Sequence, residues 1–119
     1  MRPHFIEVAP EDTLGEVGER MSRQNVGAVA VKDSGRLIGI LTERDIVRAV
    51  AQGVDLDQAA SSDHVTTDSA YGSPQWSLDE ASEAMRRGGV RHLVVVDGSD
   101  VLGIISMRDI VRAWGNNPT

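Results

Sequence analysis

The hexapeptide Arg-Asp-Ile-Val-Arg-Ala stands at residues 44–49 and again at residues 108–113. Around it, a shift of 64 positions places residues 10–49 on residues 74–113 without a gap, and 17 of the 40 paired positions are identical. Self-similarity of this extent indicates an internal duplication, which constrains the architecture before any single residue is interpreted. We therefore expect one fold to occur twice in the chain.

Each copy predicts the same order of elements: a short extended piece, a helix, two strands joined by a turn, and a second helix. Thr13 with Glu16, and Ser77 with Glu80, have the spacing of a capping box, which starts a helix by satisfying free backbone N–H groups. Turn and stop residues then separate short runs of β-branched residues. The predicted helix stops are Asn25 and the Gly88-Gly89 pair, the turns are residues 33–35 and 97–99, the extended pieces are residues 5–8 and 70–73, and the strands are residues 27–31, 37–41, 91–96 and 101–105.

Each copy is about 50 residues long, which is too short to bury both faces of its own elements, so we expect the copies to pack on each other and share a core. The prediction is a single α/β (α+β) module over residues 1–119. It comprises a first motif at residues 1–53, a polar connector at residues 54–69 with one helical turn, and a second motif at residues 70–115.

Composition and charge exclude several classes of function. The chain has no cysteine, which removes disulfides, thiol catalysis and cysteine-ligated zinc, and its three histidines lie far apart in the sequence. The formal net charge of −6 opposes a phosphate backbone, and the basic clusters are too short for a nucleic-acid site. No apolar run reaches the roughly 20 residues of a membrane span, and the N-terminal stretch lacks a secretory signal. We predict a cytoplasmic protein that binds no metal, nucleic acid or membrane.

Residues 39–45 and 103–109 share a segment of glycine, two hydrophobic residues, threonine or serine, two variable residues and aspartate. Together with residues 89–97, these segments resemble the tandem CBS motif, also called a Bateman module, and the resemblance covers nearly the whole chain. It implies two β-α-β-β-α motifs packed with pseudo-twofold symmetry and two clefts between them. It also implies that the clefts bind an adenosyl compound such as AMP, ADP, ATP, S-adenosylmethionine or NAD.

The resemblance assigns roles to particular residues. In the family, the motif aspartate accepts hydrogen bonds from the ribose hydroxyls, which implies this role for Asp45 and Asp109. The motif threonine or serine contacts ribose or phosphate, which implies that role for Thr42 and Ser106. Physical chemistry supports both roles, because a carboxylate can accept two bonds from a vicinal diol and a helix N-terminus favours an anionic group. The other candidate ligand contacts are Arg91, His92, Ile40, Ile104, Arg44, Arg108 and Tyr71.

A structural alternative stays open for each motif. The threonine or serine followed three residues later by aspartate also has the spacing of a helix N-cap with an acidic residue in the first turn. In the same way, a first-turn arginine such as Arg44 or Arg108 is most often solvated or paired with a neighbouring carboxylate.

The two copies differ around the motif. Arg91 and His92, where some family members place basic residues against phosphates, align with Gly27 and Ala28, so we predict two unequal clefts. Glu7 occupies a position where many members carry threonine, and its charge would repel a phosphate. Its counterpart in the second copy is Tyr71, which offers an aromatic ring and a hydroxyl instead.

The resemblance implies a regulatory module of energy or stress sensing. We expect it to be non-catalytic because the sequence contains no phosphate loop, nucleophile elbow or metal-ligand cluster. It requires no cofactor, binds an adenosyl ligand, and passes the signal to a separate effector protein. The resemblance also implies a homodimer formed through the helices, and Trp76 and Trp114 are either dimer contacts or locally packed side chains. The alternative is a ligand-free dimeric scaffold that keeps the fold.

Overall fold

The computed structural model describes residues 6–66, 70–98 and 100–115, with side chains up to residue 111. The described residues form two compact units, the first ending at residue 66 and the second starting at residue 70. Parts of the predicted segments, namely residues 1–5, 67–69 and 99, lie outside the described residues, as does the side chain of Trp114.

Both units have the predicted order of elements. The first unit consists of β1 (Glu7–Val8), α1 (Leu14–Gln24), β2 (Ala28–Asp33), β3 (Arg36–Thr42), α2 (Glu43–Ala51) and a one-turn 3-10 helix (Ser61–Asp63). The second consists of β4 (Ala70–Gly72), α3 (Leu78–Gly88), β5 (His92–Asp97), β6 (Asp100–Ser106) and α4 (Met107–Gly115). The β-α-β-β-α pattern is therefore confirmed in each copy.

Each unit contains one three-stranded sheet in which the first strand is parallel to the second and the second is antiparallel to the third. The hairpin between β2 and β3 turns over two residues, Ser34 and Gly35, with φ angles of 54° and 81°. Positive φ at both positions is the turn geometry that matches the right-handed twist of the flanking strands. In the second hairpin Gly98 has a φ of 63°.

The helix ends agree largely with the capping signals. Ser77 and Glu80 form a complete capping box, in which each backbone N–H donates to the side chain of the other residue. At the start of α1 only half of the predicted box forms, because Thr13 accepts a bond from the Glu16 N–H and the described contacts hold no return bond. Helix α1 stops at Asn25, whose φ of 54° is left-handed as predicted.

Each unit has its own cluster of buried apolar side chains, to which both of its helices and its sheet contribute. In the first unit this cluster is Val8, Leu14, Val17, Met21, Val29, Val31, Leu41 and Ala49. In the second it is Ala81, Met85, Leu93, Val95, Ile105 and Ile110. The predicted apolar face of α1 is confirmed, and so is that of α3, although Leu78 is only partly buried. No helix in the described ranges has the length and apolar character required to cross a membrane.

The segment after α2 packs on the first unit. The N–H groups of Leu14 and Gly15, at the start of α1, donate to carbonyls at residues 59 and 56. The hydroxyl of the fully buried Ser61 donates to the Ala9 carbonyl at 2.7 Å, and Thr66 forms a bridge with Ile40 of β3. The predicted helical turn is present at Ser61–Asp63. The described part of the connector, residues 54–66, thus belongs structurally to the first unit.

Candidate functional site

The two candidate motifs lie where the third strand of each unit runs directly into its last helix. Thr42 is the last residue of β3 and the N-cap of α2, and Asp45 is the third residue of that helix. Ser106 and Asp109 hold the same positions at the end of β6 and the start of α4. The spacing therefore places each hydroxyl and carboxylate at a helix N-terminus, where free backbone N–H groups point outward.

The first motif forms a complete capping box. The Thr42 N–H donates to Asp45 Oδ2 at 2.9 Å, and the Asp45 N–H donates to Thr42 Oγ1 at 3.2 Å. The Thr42 hydroxyl donates in turn to Asp45 Oδ2 at 2.9 Å. Each of these two residues thus fixes the conformation of the other, and the side chain of Asp45 is only 7 % exposed.

The Asp45 carboxylate also has partners outside its own turn. The hydroxyl of Thr66 lies 3.1 Å from Oδ2 and 3.2 Å from Oδ1, and Arg48 Nη1 lies 3.4 Å from Oδ1. Thr66 lies 21 positions from Asp45, inside the predicted connector, and was not among the predicted site residues. The available signal was the pair of β-branched residues Val65 and Thr66, which favours an extended backbone.

The second motif is more open. The Ser106 N–H donates to Asp109 Oδ2 at 2.9 Å, and the Asp109 N–H donates to Ser106 Oγ at 3.1 Å. These two bonds match the capping box of the first motif, but Asp109 is exposed whereas Asp45 is buried. The identical sequence around the two aspartates therefore forms two different environments.

Arg91 and His92 lie beside the second motif. In the antiparallel register of β5 and β6, His92 is paired with Ser106, and the Arg91 carbonyl accepts the Met107 N–H at 2.9 Å. The Arg91 side chain is exposed and His92 is partly buried. The register thus brings His92 and the Arg91 backbone next to the second motif.

The remaining candidates are distributed over both units. Ile40 and Ile104 are buried in the strands that lead into the motifs, and Arg44 and Arg108 are exposed in the first turns of α2 and α4. Tyr71 is 51 % exposed on β4, where it pairs with β5 and is not adjacent to β6.

Glu7, for which we expected repulsion of a phosphate, has a neighbouring cation. Its Oε1 lies 3.4 Å from Nζ of Lys32 on the adjacent strand. The lysine charge offsets part of the carboxylate charge, so the unfavourable effect of Glu7 on an anion is smaller than the sequence alone suggests.

A shallow cavity of about 340 Å³ opens along α3, and none of the predicted ligand contacts lines it. It is lined by Trp76, Asp79, Glu80, Glu83, Ala84 and Arg87. The Arg86 guanidinium donates a hydrogen bond to Glu83 and also carries a positive charge close to it. Both effects lower the pKa of the Glu83 carboxyl below its ordinary value. Glu83 is thus already engaged with Arg86 and Arg87, and Glu80 with the α3 capping box.

Comparison with known proteins gives a consistent result. The family model described as "CBS domain" matches residues 1–52 and again residues 62–116. The CBS domain-containing protein YhcV of Bacillus subtilis is 38 % identical over 111 residues, which are 92 % of this chain and 79 % of that protein. An arabinose 5-phosphate isomerase of Escherichia coli is 32 % identical over 113 residues, but the chain spans only 33 % of the isomerase. The chain also spans less than two thirds of several other curated relatives.

Solved structures with this fold include the CBS-domain containing protein ATU1752 from Agrobacterium tumefaciens, with a TM-score of 0.83 and 34 % identity over 94 % of this chain and 90 % of that one. The CBS domain protein PAE2072 from Pyrobaculum aerophilum, solved in complex with AMP, has a TM-score of 0.79 and 28 % identity over 98 % of this chain and 95 % of that one.

Proposed function

The chain belongs to the CBS-domain family, and from this premise we propose that it is a non-catalytic sensor module that binds an adenosyl ligand and passes the signal to a separate partner protein. The candidate ligands are AMP, ADP, ATP, S-adenosylmethionine and NAD. The AMP complex of PAE2072 supports this ligand class, because that protein is similar to this chain over almost its full length. A cytoplasmic location stays a prediction from the sequence.

The observation that carries the proposal is the exposed carboxylate of Asp109 at the start of α4. Its backbone bonds with Ser106 hold it at the helix N-terminus, and the register places His92 beside the same serine. A vicinal diol requires an acceptor that is both fixed and accessible, and a charged acceptor makes the stronger bonds. We assign the ribose hydroxyls to Asp109 and a phosphate to the Ser106, Arg91 and His92 side.

The corresponding roles of the other candidates belong to the same proposal. Asp45 and Thr42 are assigned to a second ligand, while Ile40 and Ile104 give apolar contacts. Arg44 and Arg108 contact phosphates, and Tyr71 stacks on a base.

Calorimetric titration with the five candidate ligands tests the proposal. We expect Asp109→Asn to weaken binding of the preferred ligand by at least about tenfold, because the substitution removes the charge from the acceptor of two hydroxyl bonds. Asp100→Asn is the matched control, since it removes the same charge from an exposed residue at the start of β6, the strand that leads into α4. If the two variants bind equally well, Asp109 is not the ribose acceptor.

Exposed valines on the last helix of each unit favour a homodimer. Val47 and Val50 on α2 are 65 % and 57 % exposed, and Val111 on α4 is 58 % exposed. Exposed apolar side chains that adjoin one another on a helix face, as Val47 and Val50 do three residues apart, are typical of surfaces that pair with another protein. We therefore propose that two copies associate through these helices, whether or not a ligand is bound.

Sedimentation velocity at micromolar concentration tests the dimer. We expect the unmodified protein to sediment as a dimer and the double variant Val47→Asp, Val111→Asp to sediment as a monomer, because two buried charges per copy would oppose association. Ser22→Asp, on the exposed surface of α1, adds the same kind of charge elsewhere and should stay dimeric. A dimer that binds none of the five ligands would support the scaffold function instead.

A further inference from the structure

The Asp45 carboxylate has little hydrogen-bonding capacity left for the two hydroxyls of a ribose. Its two oxygens offer about four acceptor positions. Oδ2 already accepts the Thr42 N–H, the Thr42 hydroxyl and the Thr66 hydroxyl, and Oδ1 lies 3.2 Å from the Thr66 hydroxyl and 3.4 Å from Arg48 Nη1. A ribose diol that approached Asp45 would therefore have to displace existing donors, and would gain little because each new bond would replace an old one.

Of these donors, Thr66 is the one that belongs to neither the motif nor its helix. Its position is fixed by the backbone, because the Ile40 N–H donates to the Thr66 carbonyl at 3.0 Å and the Thr66 N–H donates to the Ile40 carbonyl at 2.7 Å. The approach is so close that a Cβ on Gly39 would lie 2.9 Å from the Thr66 carbonyl oxygen. The backbone contact with β3 thus fixes the Thr66 hydroxyl next to Asp45.

The second motif lacks this arrangement in the part of the chain that the structure describes. There Asp109 accepts the Ser106 N–H, its carboxylate is exposed, and no described residue takes the place of Thr66. The described bonds leave acceptor positions on Asp109 for the two hydroxyls of a ribose.

We propose that Thr66 is a specificity-determining residue of the first motif: its hydroxyl occupies Asp45 and keeps that carboxylate from accepting a ribose diol, so that the module binds its adenosyl ligand preferentially at Asp109. The inference rests on the proposed function, because it takes an adenosyl ligand as given. A ligand can then bind at the first motif only when the Thr66 hydroxyl leaves Asp45. This release loosens the bridge between Thr66 and Ile40.

The test uses AMP as the probe and the Asp109→Asn protein as the background, so that binding at the first motif is measured alone. We expect the added substitution Thr66→Val, which keeps the shape and removes the hydroxyl, to tighten AMP binding by about tenfold. Thr66→Ser is the matched control, since it keeps the hydroxyl, and its affinity should equal that of the background protein. Equal affinities for Thr66→Val and Thr66→Ser, or weaker binding by Thr66→Val, would overturn the inference.

A measurement without ligand separates this inference from the proposed function. Hydrogen exchange of the Ile40 and Thr66 amides should be faster in Thr66→Val than in Thr66→Ser, because the bond to Asp45 helps hold the bridge closed. Unchanged exchange contradicts the role of the hydroxyl even if AMP binds. If exchange accelerates as expected but AMP and the other four ligands bind to none of the proteins, the proposed function fails, and the preference for Asp109 fails with it.

Discussion

We expect Asp45→Ala to lower the free energy of unfolding by about 3 kcal/mol and Asp109→Ala to lower it by about 1 kcal/mol. The two aspartates occupy equivalent positions in the duplicated hexapeptide, so the substitution is chemically the same. The difference arises from the surroundings. Removal of the buried Asp45 carboxylate leaves the Thr42 N–H and the Thr66 hydroxyl without their acceptor, and the cost of a buried unpaired donor exceeds the value of the lost bond.

At Asp109 the same change removes the bond from the Ser106 N–H, but the exposed position lets water replace the carboxylate. The cost is then close to that of losing an ordinary helix cap. Urea unfolding followed by far-UV circular dichroism measures both values, and the transition of the unmodified protein is the reference. Equal destabilisation by the two substitutions would contradict the difference between the motifs.

We expect Gly39→Ala to lower the free energy of unfolding by about 2–4 kcal/mol, a large effect for one added methyl group. The new Cβ would lie 2.9 Å from the Thr66 carbonyl oxygen and 3.1 Å from the Val65 Cβ. These atoms belong to the backbone or are attached directly to it, and the Thr66 backbone is held by two hydrogen bonds to Ile40. To relieve the clash, the segment has to move away from β3, which breaks those bonds and the bond from Thr66 to Asp45.

Gly18→Ala is the matched control for this prediction, because Gly18 lies in the interior of α1 and its added Cβ would lie 3.7 Å from the Ile46 Cδ1, an ordinary contact distance. We expect this variant to be more stable than the unmodified protein by about 0.5–1 kcal/mol, since alanine has the higher helix propensity. Urea unfolding of the two glycine variants should therefore give shifts of opposite sign. A Gly39→Ala protein as stable as the unmodified one would mean that the segment at residues 65–66 does not approach β3 this closely.

The elements of the fold were predictable because their signals are local. The capping box at Ser77, the left-handed stop at Asn25 and the two-residue turn at Ser34 each depend on residues within a few positions of one another. The duplication strengthened these predictions, since the same pattern had to fit two sequences. The positions of the hydroxyl and carboxylate at the start of α2 and α4 followed from the same local reasoning.

The state of each carboxylate was not predictable, because it depends on residues distant in the sequence. Thr66 contacts Asp45 across 21 positions, and Lys32 contacts Glu7 across 25. The alignment of the two copies treated Asp45 and Asp109 as equivalent, and it correctly matched their backbones. The alignment contained no information on the segment at residues 65–66, which packs on β3 and contacts Asp45.

Because the segment after α2 packs on the first unit, the first structural half of the molecule extends beyond the end of the first sequence copy. The duplication places the end of the first copy shortly after residue 49, and a cut there would look harmless in an alignment. Such a cut would separate α1 from the carbonyls that accept its first N–H groups, Ala9 from the buried hydroxyl of Ser61, and Asp45 from Thr66. A fragment designed to fold by itself, or a graft of this half into another protein, therefore has to extend through residue 66.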